Sequence, residues 1–298
     1  MTDSPFRPDV LAGKRILITG GGTGLGRGVA RHLVEHGAQV HLWGRRPAVL
    51  KEAAAEASAS HPGTVHVQTV DVRQPDLVDA AMEQIWTGHG PLTGVINNAA
   101  ANFIAPTESL SPRGFEAVAS TVMNGSFNTT HAAGRRWIAG GDKGVILSTL
   151  TTWVWTGSAF VVPSAMGKAA VHAMTMSLAV EWAKYGIRLN ALAPGPIPTD
   201  YAWEMLNPTD NSAVGATQAD QVPMGRMGTI EELANLTIFL LSDACDYLTG
   251  QTITMDGGQM LAGPGTFAGL TSMTPQDWAE ARERSKAATA ASKVQRGV

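Results

Sequence analysis

Short apolar runs alternate along this chain with longer segments in which an apolar residue recurs every three or four positions. The short runs end in glycine, proline or polar residues, which is typical of strands, and the longer segments have the period of amphipathic helices. Strands are predicted at residues 14–19, 38–43, 64–70, 93–96, 145–147, 187–193 and 252–255. Helices are predicted after the first strand to about residue 36, at 47–60, 77–86, 111–137 and 164–184, and from 229 and 274 onward.

This alternation, with its short connections, predicts a parallel sheet with helices on both faces. The expected fold class is α/β, a single doubly wound sheet of the Rossmann type, with seven strands in the order 3-2-1-4-5-6-7. We expect one domain over residues 1–298, with its core at about 11–258 and a tail at 259–298. The polar stretch at about 200–222 is long for a connection in a compact domain, which favours a substrate lid.

Composition and charge narrow the class of protein. The chain has 298 residues, 44% of them hydrophobic, which suits one large buried core. Its net charge of −3 gives no sign of non-specific nucleic-acid binding. The single cysteine, Cys245, excludes a disulfide within the chain and fits a reducing compartment. We find no signal-peptide pattern and no apolar run of membrane-spanning length, so we expect a cytoplasmic protein without a membrane partner.

A glycine-rich loop follows the first predicted strand and opens the first predicted helix. It reads Thr19-Gly-Gly-Gly-Thr-Gly-Leu-Gly26. Glycines let the backbone turn tightly and approach a pyrophosphate, and the N–H groups and dipole of a helix N-terminus favour an anion. The loop therefore predicts a dinucleotide site; a glycine-rich turn without a ligand is the alternative. The residues assigned to the site are Gly20, Thr23, Gly24, Leu25 and Gly26.

The end of the second predicted strand indicates which dinucleotide binds. An acidic residue there would bind the ribose 2′-hydroxyl of NADH, but this chain has Arg45 and Arg46. Two guanidinium groups suit a 2′-phosphate, so we expect NADPH (oxidised form NADP); a solvated basic turn is the alternative. The other assigned cofactor residues follow later strands: Asp71 and Val72 beside the adenine, Asn98 on the ribose side, and Pro194, Gly195 and Ile197.

These motifs resemble the short-chain dehydrogenase/reductase superfamily over about residues 11–258. Longer strings are similar to the 2,4-dienoyl-CoA reductases, especially the mitochondrial type; examples are Asn97-Asn-Ala-Ala-Ala-Asn-Phe-Ile104 and Glu181-Trp-Ala-Lys-Tyr-Gly-Ile-Arg-Leu-Asn190. The resemblance implies NADPH-dependent reduction of a 2,4-dienoyl-CoA, or a related unsaturated acyl-CoA thioester, in fatty-acid β-oxidation. Hydride would reach the distal carbon of the conjugated system, and the resulting dienolate would be protonated next to the carbonyl.

The resemblance also assigns four residues to the reaction. Lys168 matches a lysine that holds the nicotinamide ribose and orders a proton relay; a surface lysine is the alternative. Ser164 stands where reductases of this superfamily usually have tyrosine, and would contact water or ribose or cap its helix. Asn124 matches an asparagine that donates to the thioester oxygen, or is bonded to backbone. Thr151 lies where the superfamily usually has its serine, or merely ends a strand.

The family's general acid is missing at both positions known for it. The mitochondrial type has tyrosine where this chain has Trp153, and an indole N–H does not release a proton at useful pH. The peroxisomal type has aspartate where this chain has Val122. Three readings stay open: water held by Lys168, Ser164 and Asn124 supplies the proton; the substrate is a different carbonyl or enoyl compound; or the chain binds NADP without turnover.

The resemblance also implies two residues that contact the substrate and an assembly with further copies of this chain. A third residue is a candidate acid because of its place in the predicted lid. Arg73 would pair with a CoA phosphate or with a surface acid, and Phe103 would flank the acyl chain or pack in the core. Tyr201, at the start of the predicted lid, could swing inward as an acid. Similar proteins are homotetramers, and the apolar helices at 111–137 and 164–184 would pair across two-fold axes. No metal site is predicted.

Overall fold

The computed structural model of the chain describes residues 4–59, 61, 63–102, 104–199, 219–263, 274–281 and 283. The chain divides into two compact units, residues 1–258 and residues 259–298. Most of the stretch predicted as a lid, with Tyr201, lies outside the described residues, as does Phe103. In the second unit, residues 275–281 are helical, and the Thr274 hydroxyl accepts a hydrogen bond from the Asp277 N–H at 3.2 Å.

A seven-stranded sheet forms the centre of the first unit, and every neighbouring pair of strands is parallel. The strand order is β3-β2-β1-β4-β5-β6-β7, which confirms the predicted order and fold class. Such a sheet needs a crossover between successive strands, and the helices supply these crossovers. The strands are β1 (Arg15–Thr19), β2 (Gln39–Gly44), β3 (Val65–Thr69), β4 (Gly94–Asn97), β5 (Gly144–Thr149), β6 (Ile187–Pro194) and β7 (Thr252–Met255).

Helices cover both faces of this sheet, so its strands are apolar on both sides. Ile16 and Ile18 of β1 pack into one hydrophobic cluster, and Leu17 between them packs into the other. The first cluster includes residues of α1, α2 and α8, and the second includes residues of α3, α5 and α7. The helices are α1 (Gly24–Glu35), α2 (Pro47–Ala57), α3 (Pro75–His89), α4 (Pro112–Ala119), α5 (Gly125–Gly140), α6 (Trp153–Thr156), α7 (Val162–Trp182) and α8 (Ile230–Leu241).

The long helix predicted at residues 111–137 contains a π-helical turn. This turn, Ser120–Asn124, separates α4 from α5. Around it, hydroxyl groups donate to backbone carbonyls one turn earlier: Thr121 to Ala117 at 2.9 Å and Ser126 to Val122 at 2.7 Å. Such bonds bend helices, and a π turn inserts one residue without breaking the apolar periodicity. The predicted helix at 111–137 is thus present, but the sequence pattern did not predict the π-helical turn within it.

Among the described residues, no helix is both long enough and apolar enough to span a membrane.

Candidate active site

A cavity of about 600 Å³ lies at the carboxyl ends of the first six strands. This is where parallel α/β sheets bind ligands, because the strand order reverses between β1 and β4. Most of the residues predicted for the site meet here, although they come from positions far apart along the chain. Those that line the cavity are Gly20, Thr23, Gly24, Leu25, Arg45, Arg46, Asp71, Val72, Asn98, Thr151, Ser164, Lys168 and Pro194.

The glycine loop has the geometry of an anion site. Gly20 has φ +67°, and a Cβ placed on it would lie 2.9 Å from the Ala99 Cα, so a side chain does not fit. Helix α1 begins at Gly24 behind Thr23, whose side chain makes no capping hydrogen bond. The first N–H groups of the helix therefore remain available to a ligand. The loop fits the pyrophosphate of a dinucleotide.

Asn98, predicted on the ribose side of the cofactor, also holds the glycine loop. Its Nδ2 donates to the Thr19 carbonyl at 3.1 Å and to the Gly20 carbonyl at 3.2 Å. The Thr19 hydroxyl in turn accepts from the N–H groups of Asn98 at 3.1 Å and Ala99 at 3.0 Å. A Cβ on Gly26 would lie 2.6 Å from the Asn98 Nδ2. Asn98 thus ties the end of β4 to the glycine loop, while also lining the cavity; Thr19 was missed as a member of this network.

At the far end of the cavity, two exposed arginines, Arg45 and Arg46, follow β2. Arg73 is not among the lining residues; its Nε donates to both carboxylate oxygens of Asp71, which does line the cavity, at 2.9 and 3.0 Å. The side-chain hydrogen bonds from Arg73 hold the Asp71 pKa below its usual value. Burial opposes this shift, and a backbone hydrogen bond and the charges of Arg73 and Arg45 add to it. Of the two readings of Arg73, the structure shows an ion pair with a neighbouring acid.

Three residues predicted to contact the cofactor do not line the cavity: Gly26, Gly195 and Ile197. A Cβ on Gly195 would lie 2.6 Å from the Asp256 Cβ, and Ile197 is buried beside Gly228. They fix the turn after β6, which leaves Pro194 facing the cavity.

Lys168 is buried, with 7% of its surface exposed, and its Nζ donates to the Thr149 carbonyl at the end of β5. Burial alone lowers the pKa of Lys168 to about 8. The reading of Lys168 as a surface lysine is therefore wrong. Ser164 lies one helical turn earlier, also buried and also lining the cavity. Helix α7 begins at Val162 behind Val161, so Ser164 does not cap it.

The segment after β5 also forms part of the cavity wall. Thr151 and Trp153 both line it, and Trp153 opens α6. Of the three tyrosines, Tyr185 and Tyr247 are exposed and do not line the cavity, and Tyr201 lies outside the described residues. The lining residues that the structure describes thus include no tyrosine, and an indole stands at the position where the resemblance to the mitochondrial type implies one.

Asn124 does not line the cavity. It ends the π-helical turn with an exposed side chain, and Thr121 of the same turn lines the cavity instead. Its predicted contact with the thioester oxygen stays a prediction. A second asparagine is better placed: Asn102 lines the cavity, and its Oδ1 is buried without a hydrogen-bond partner in the described structure. The only signal for Asn102 in the sequence was its place in the string after β4.

Comparison with known proteins gives the family. The family described as enoyl-(acyl carrier protein) reductase matches residues 20–260. A probable 2,4-dienoyl-CoA reductase, (2E)-enoyl-CoA-producing, of Bacillus subtilis strain 168 is 43% identical over 249 residues, covering 83% of this chain and 97% of that protein. A short-chain dehydrogenase from Bacillus anthracis is 42% identical, with a TM-score of 0.75 over 83% of this chain and 96% of the other.

A further solved structure carries the cofactor. Gluconate 5-dehydrogenase from Burkholderia cenocepacia J2315, in complex with NADP and tartrate, is 31% identical, with a TM-score of 0.77 over 85% of this chain and 98% of the other. The similarity to this structure and the geometry of the glycine loop both support a nicotinamide dinucleotide as the cofactor. They also support an oxidoreductase as the class of enzyme. The chain belongs to the short-chain dehydrogenase/reductase superfamily and, within it, is similar to proteins named as 2,4-dienoyl-CoA reductases.

Proposed function

We propose that this chain reduces a 2,4-dienoyl-CoA, or a closely related unsaturated acyl-CoA thioester, with NADPH, as a step of fatty-acid β-oxidation in the cytoplasm. The observation that carries the proposal is the buried pair Ser164 and Lys168 in the cavity wall. Reduction of an isolated ketone needs an acid beside the carbonyl oxygen, whereas a conjugated thioester can delocalise the charge that hydride transfer creates. A serine in the tyrosine position favours the second kind of substrate, and the similarity to dienoyl-CoA reductases supports it.

The chain's own residues would hold the cofactor along the cavity. The free N–H groups at the start of α1 would bind the pyrophosphate, and Arg45 and Arg46 would bind the 2′-phosphate. The Lys168 ammonium would donate to the nicotinamide ribose hydroxyls. When bound, NADPH supplies the hydride.

Proton delivery falls to Lys168 and its hydrogen-bonded surroundings. A serine hydroxyl is too weak an acid to protonate a dienolate unaided, and so is an indole. Lys168, with its pKa lowered to about 8, is a stronger acid than the side chains of Ser164, Thr151 and Trp153. We infer that it donates through water positioned by the hydroxyls of Ser164 and Thr151, and that amide donors such as Asn102 or Asn124 stabilise the thioester oxygen.

The direct test is NADPH oxidation by the purified chain with 2,4-hexadienoyl-CoA and with longer 2,4-dienoyl-CoA thioesters. We expect turnover with these and little with 3-ketoacyl-CoA or simple ketones. Faster oxidation with a ketone would favour a different substrate on the same scaffold. NADPH binding, seen by fluorescence, without oxidation in the presence of any of these compounds would favour a non-catalytic NADP-binding subunit.

We expect the double variant Arg45→Ala, Arg46→Ala to weaken NADPH binding by at least about tenfold and to leave NADH binding nearly unchanged. Each charge-assisted hydrogen bond to the 2′-phosphate is worth about 1.5–3 kcal/mol before solvent screening, and NADH lacks that phosphate. Fluorescence titration with both cofactors measures the effect. Lys51→Ala, which removes an exposed cation outside the cavity lining, is the matched control. Equal affinities of the parent for NADPH and NADH would overturn the cofactor proposal.

We also propose that the chain forms a homotetramer. Helices α5 and α7 expose large apolar side chains that a monomer would leave in water: Phe127 at 53%, Met176 at 44% and Val180 at 83% exposure. Val180→Lys should shift the assembly toward smaller species because it places a charge on that surface. Light scattering of parent and variant at micromolar concentration measures this, with Leu77→Lys, an exposed change on α3, as control. A monomeric parent would contradict the proposal.

A further inference from the structure

Three histidines meet on the face of the sheet that α3 covers. His41 of β2 and His66 of β3 are cross-strand neighbours in the parallel register, and both alternate with residues that point to the opposite face. His89, the last residue of α3, closes the group. The ring centroids lie 5.0 Å apart for His41 and His66, 4.9 Å for His41 and His89, and 4.1 Å for His66 and His89. We call these residues the histidine cluster.

The ring nitrogens of this cluster are not accounted for by the fold. His41 is 2% exposed, and the Nε2 atoms of both His41 and His66 are buried without a hydrogen-bond partner in the described structure. A buried polar atom without a partner costs about 1–3 kcal/mol, so two of them side by side suggest a missing ligand. One ring nitrogen from each of the three histidines lies within 4.8 Å of the other two.

We propose that the histidine cluster is a binding site for a transition-metal dication of the Zn²⁺ type, held by three imidazoles and completed by water. Imidazole nitrogen is the donor that Zn²⁺, Cu²⁺, Ni²⁺ and Co²⁺ share, and no carboxylate takes part that would favour Mg²⁺ or Ca²⁺. In a tetrahedral zinc site with Zn–N bonds of about 2.0–2.1 Å, the nitrogens stand roughly 3.3 Å apart. The three ring nitrogens, within 4.8 Å of one another, would have to move closer to reach that spacing. His89 is exposed, which leaves the fourth position open to solvent.

The electrostatics of the histidine cluster are consistent with this site. Burial, reinforced by the charges of His66, His89 and Arg15, lowers the pKa of His41 to about 3, and burial also lowers the pKa of His66. The imidazoles of His41 and His66 are therefore kept neutral, as a metal ligand requires. Arg15 is the charged neighbour that opposes binding, but its guanidinium points to other partners: Nε donates to the Gln39 Oε1 at 3.1 Å and Nη1 to the Pro91 carbonyl at 2.7 Å.

The histidine cluster lies away from the cavity in which the reaction is proposed to occur. His89 ends α3 just before β4 begins, at the amino edge of the sheet, whereas the cavity lies at the carboxyl edge. A metal there would join β2, β3 and α3 and stabilise this side of the fold. It would raise the melting temperature without changing the reductase rate, and this expectation does not depend on the proposed function.

The test uses the full-length chain without an affinity tag, stripped with EDTA and titrated with ZnCl₂ against a chromogenic chelator. We expect one Zn²⁺ per chain, and a melting temperature raised by about 5–10 °C at a hundredfold excess over Kd. Co²⁺ in place of Zn²⁺ should give the visible absorption of a four-coordinate site. His89→Gln removes the exposed ligand without opening the core, and should weaken Zn²⁺ binding by at least about tenfold. His61→Gln, an exposed histidine outside the cluster, should not.

Two results would overturn the proposal. One is less than one Zn²⁺ bound per chain, with no change in melting temperature. The other is a His89→Gln variant that binds Zn²⁺ as tightly as the His61→Gln variant does. In either case ordered water, and not a metal, would be the partner of the buried Nε2 atoms.

Discussion

Replacing Lys168 with methionine is expected to lower the rate of dienoyl-CoA reduction by at least about a hundredfold. The ammonium is buried at the end of β5, where it would hold the nicotinamide ribose and feed the proton path. Loss of one positioned donor of this kind typically costs about a hundred- to a thousandfold in rate. Methionine keeps most of the apolar packing of the side chain and removes the ammonium, with its charge and its hydrogen bond to the Thr149 carbonyl. Steady-state kinetics with saturating NADPH measure the loss.

The same lysine predicts a pH profile. Because burial lowers its pKa to about 8, kcat/KM of the parent should fall as pH rises through that value. An unfolded lysine keeps its proton to about 10.5, so between these values the unfolded chain binds more protons and the contribution of Lys168 to stability rises with pH. Lys168→Met should therefore fold normally at neutral pH and lack that rise. Lys184→Met, an exposed lysine just past α7, is the control; a rate equal to that of Lys168→Met would contradict the assignment.

Replacing Trp153 with tyrosine is expected to raise turnover by between about ten- and a hundredfold. A positioned general acid contributes roughly a hundred- to ten-thousandfold, and in this chain the position holds an indole that cannot donate a proton usefully. Without that acid, protonation should be slower than hydride transfer, so a single-turnover experiment with the parent should show the dienolate accumulating. In the tyrosine variant this intermediate should disappear.

The neighbouring residue on α6 offers a matched control. Trp155 is 46% exposed, packs edge-on against His172 and does not line the cavity. Trp155→Tyr should leave the rate unchanged. If Trp153→Tyr is slower than the parent, or if the parent forms product rapidly without an intermediate, the acid is already present elsewhere. Tyr201 would then be the first residue to replace.

The order of the strands was predictable because it depends on patterns that repeat along the chain. The residues at which strands and helices end were less predictable. Strand β5 runs from Gly144 to Thr149, beyond the predicted 145–147, because Ser148 is polar yet almost fully buried in the sheet. The π-helical turn was not predictable, since one inserted residue leaves the apolar period on either side intact.

The candidate site also had parts that the sequence predicted and parts that it did not. Residues that act through the backbone, such as those of the glycine loop, could be placed from the sequence because each turn has its own signature. Residues that act through a side chain were harder to place. Where such a side chain points depends on its position around a helix or on a single neighbouring residue. Arg73 pairs with Asp71, and Asn98, which was predicted on the ribose side of the cofactor, also binds the glycine loop. The histidine cluster has no local signature at all, because its members are more than twenty positions apart and meet only in the sheet.

The strand order also determines how the sheet can be assembled during synthesis. Each new strand joins an edge that already exists: β2 and β3 extend one side of β1, and β4 to β7 extend the other in turn. No strand has to enter between two that are already paired, so the nascent chain can build the sheet as it leaves the ribosome. The same order makes incomplete chains hazardous. A chain released before β7 would leave β6, buried along nearly its whole length, as a bare apolar edge open to pairing with another molecule.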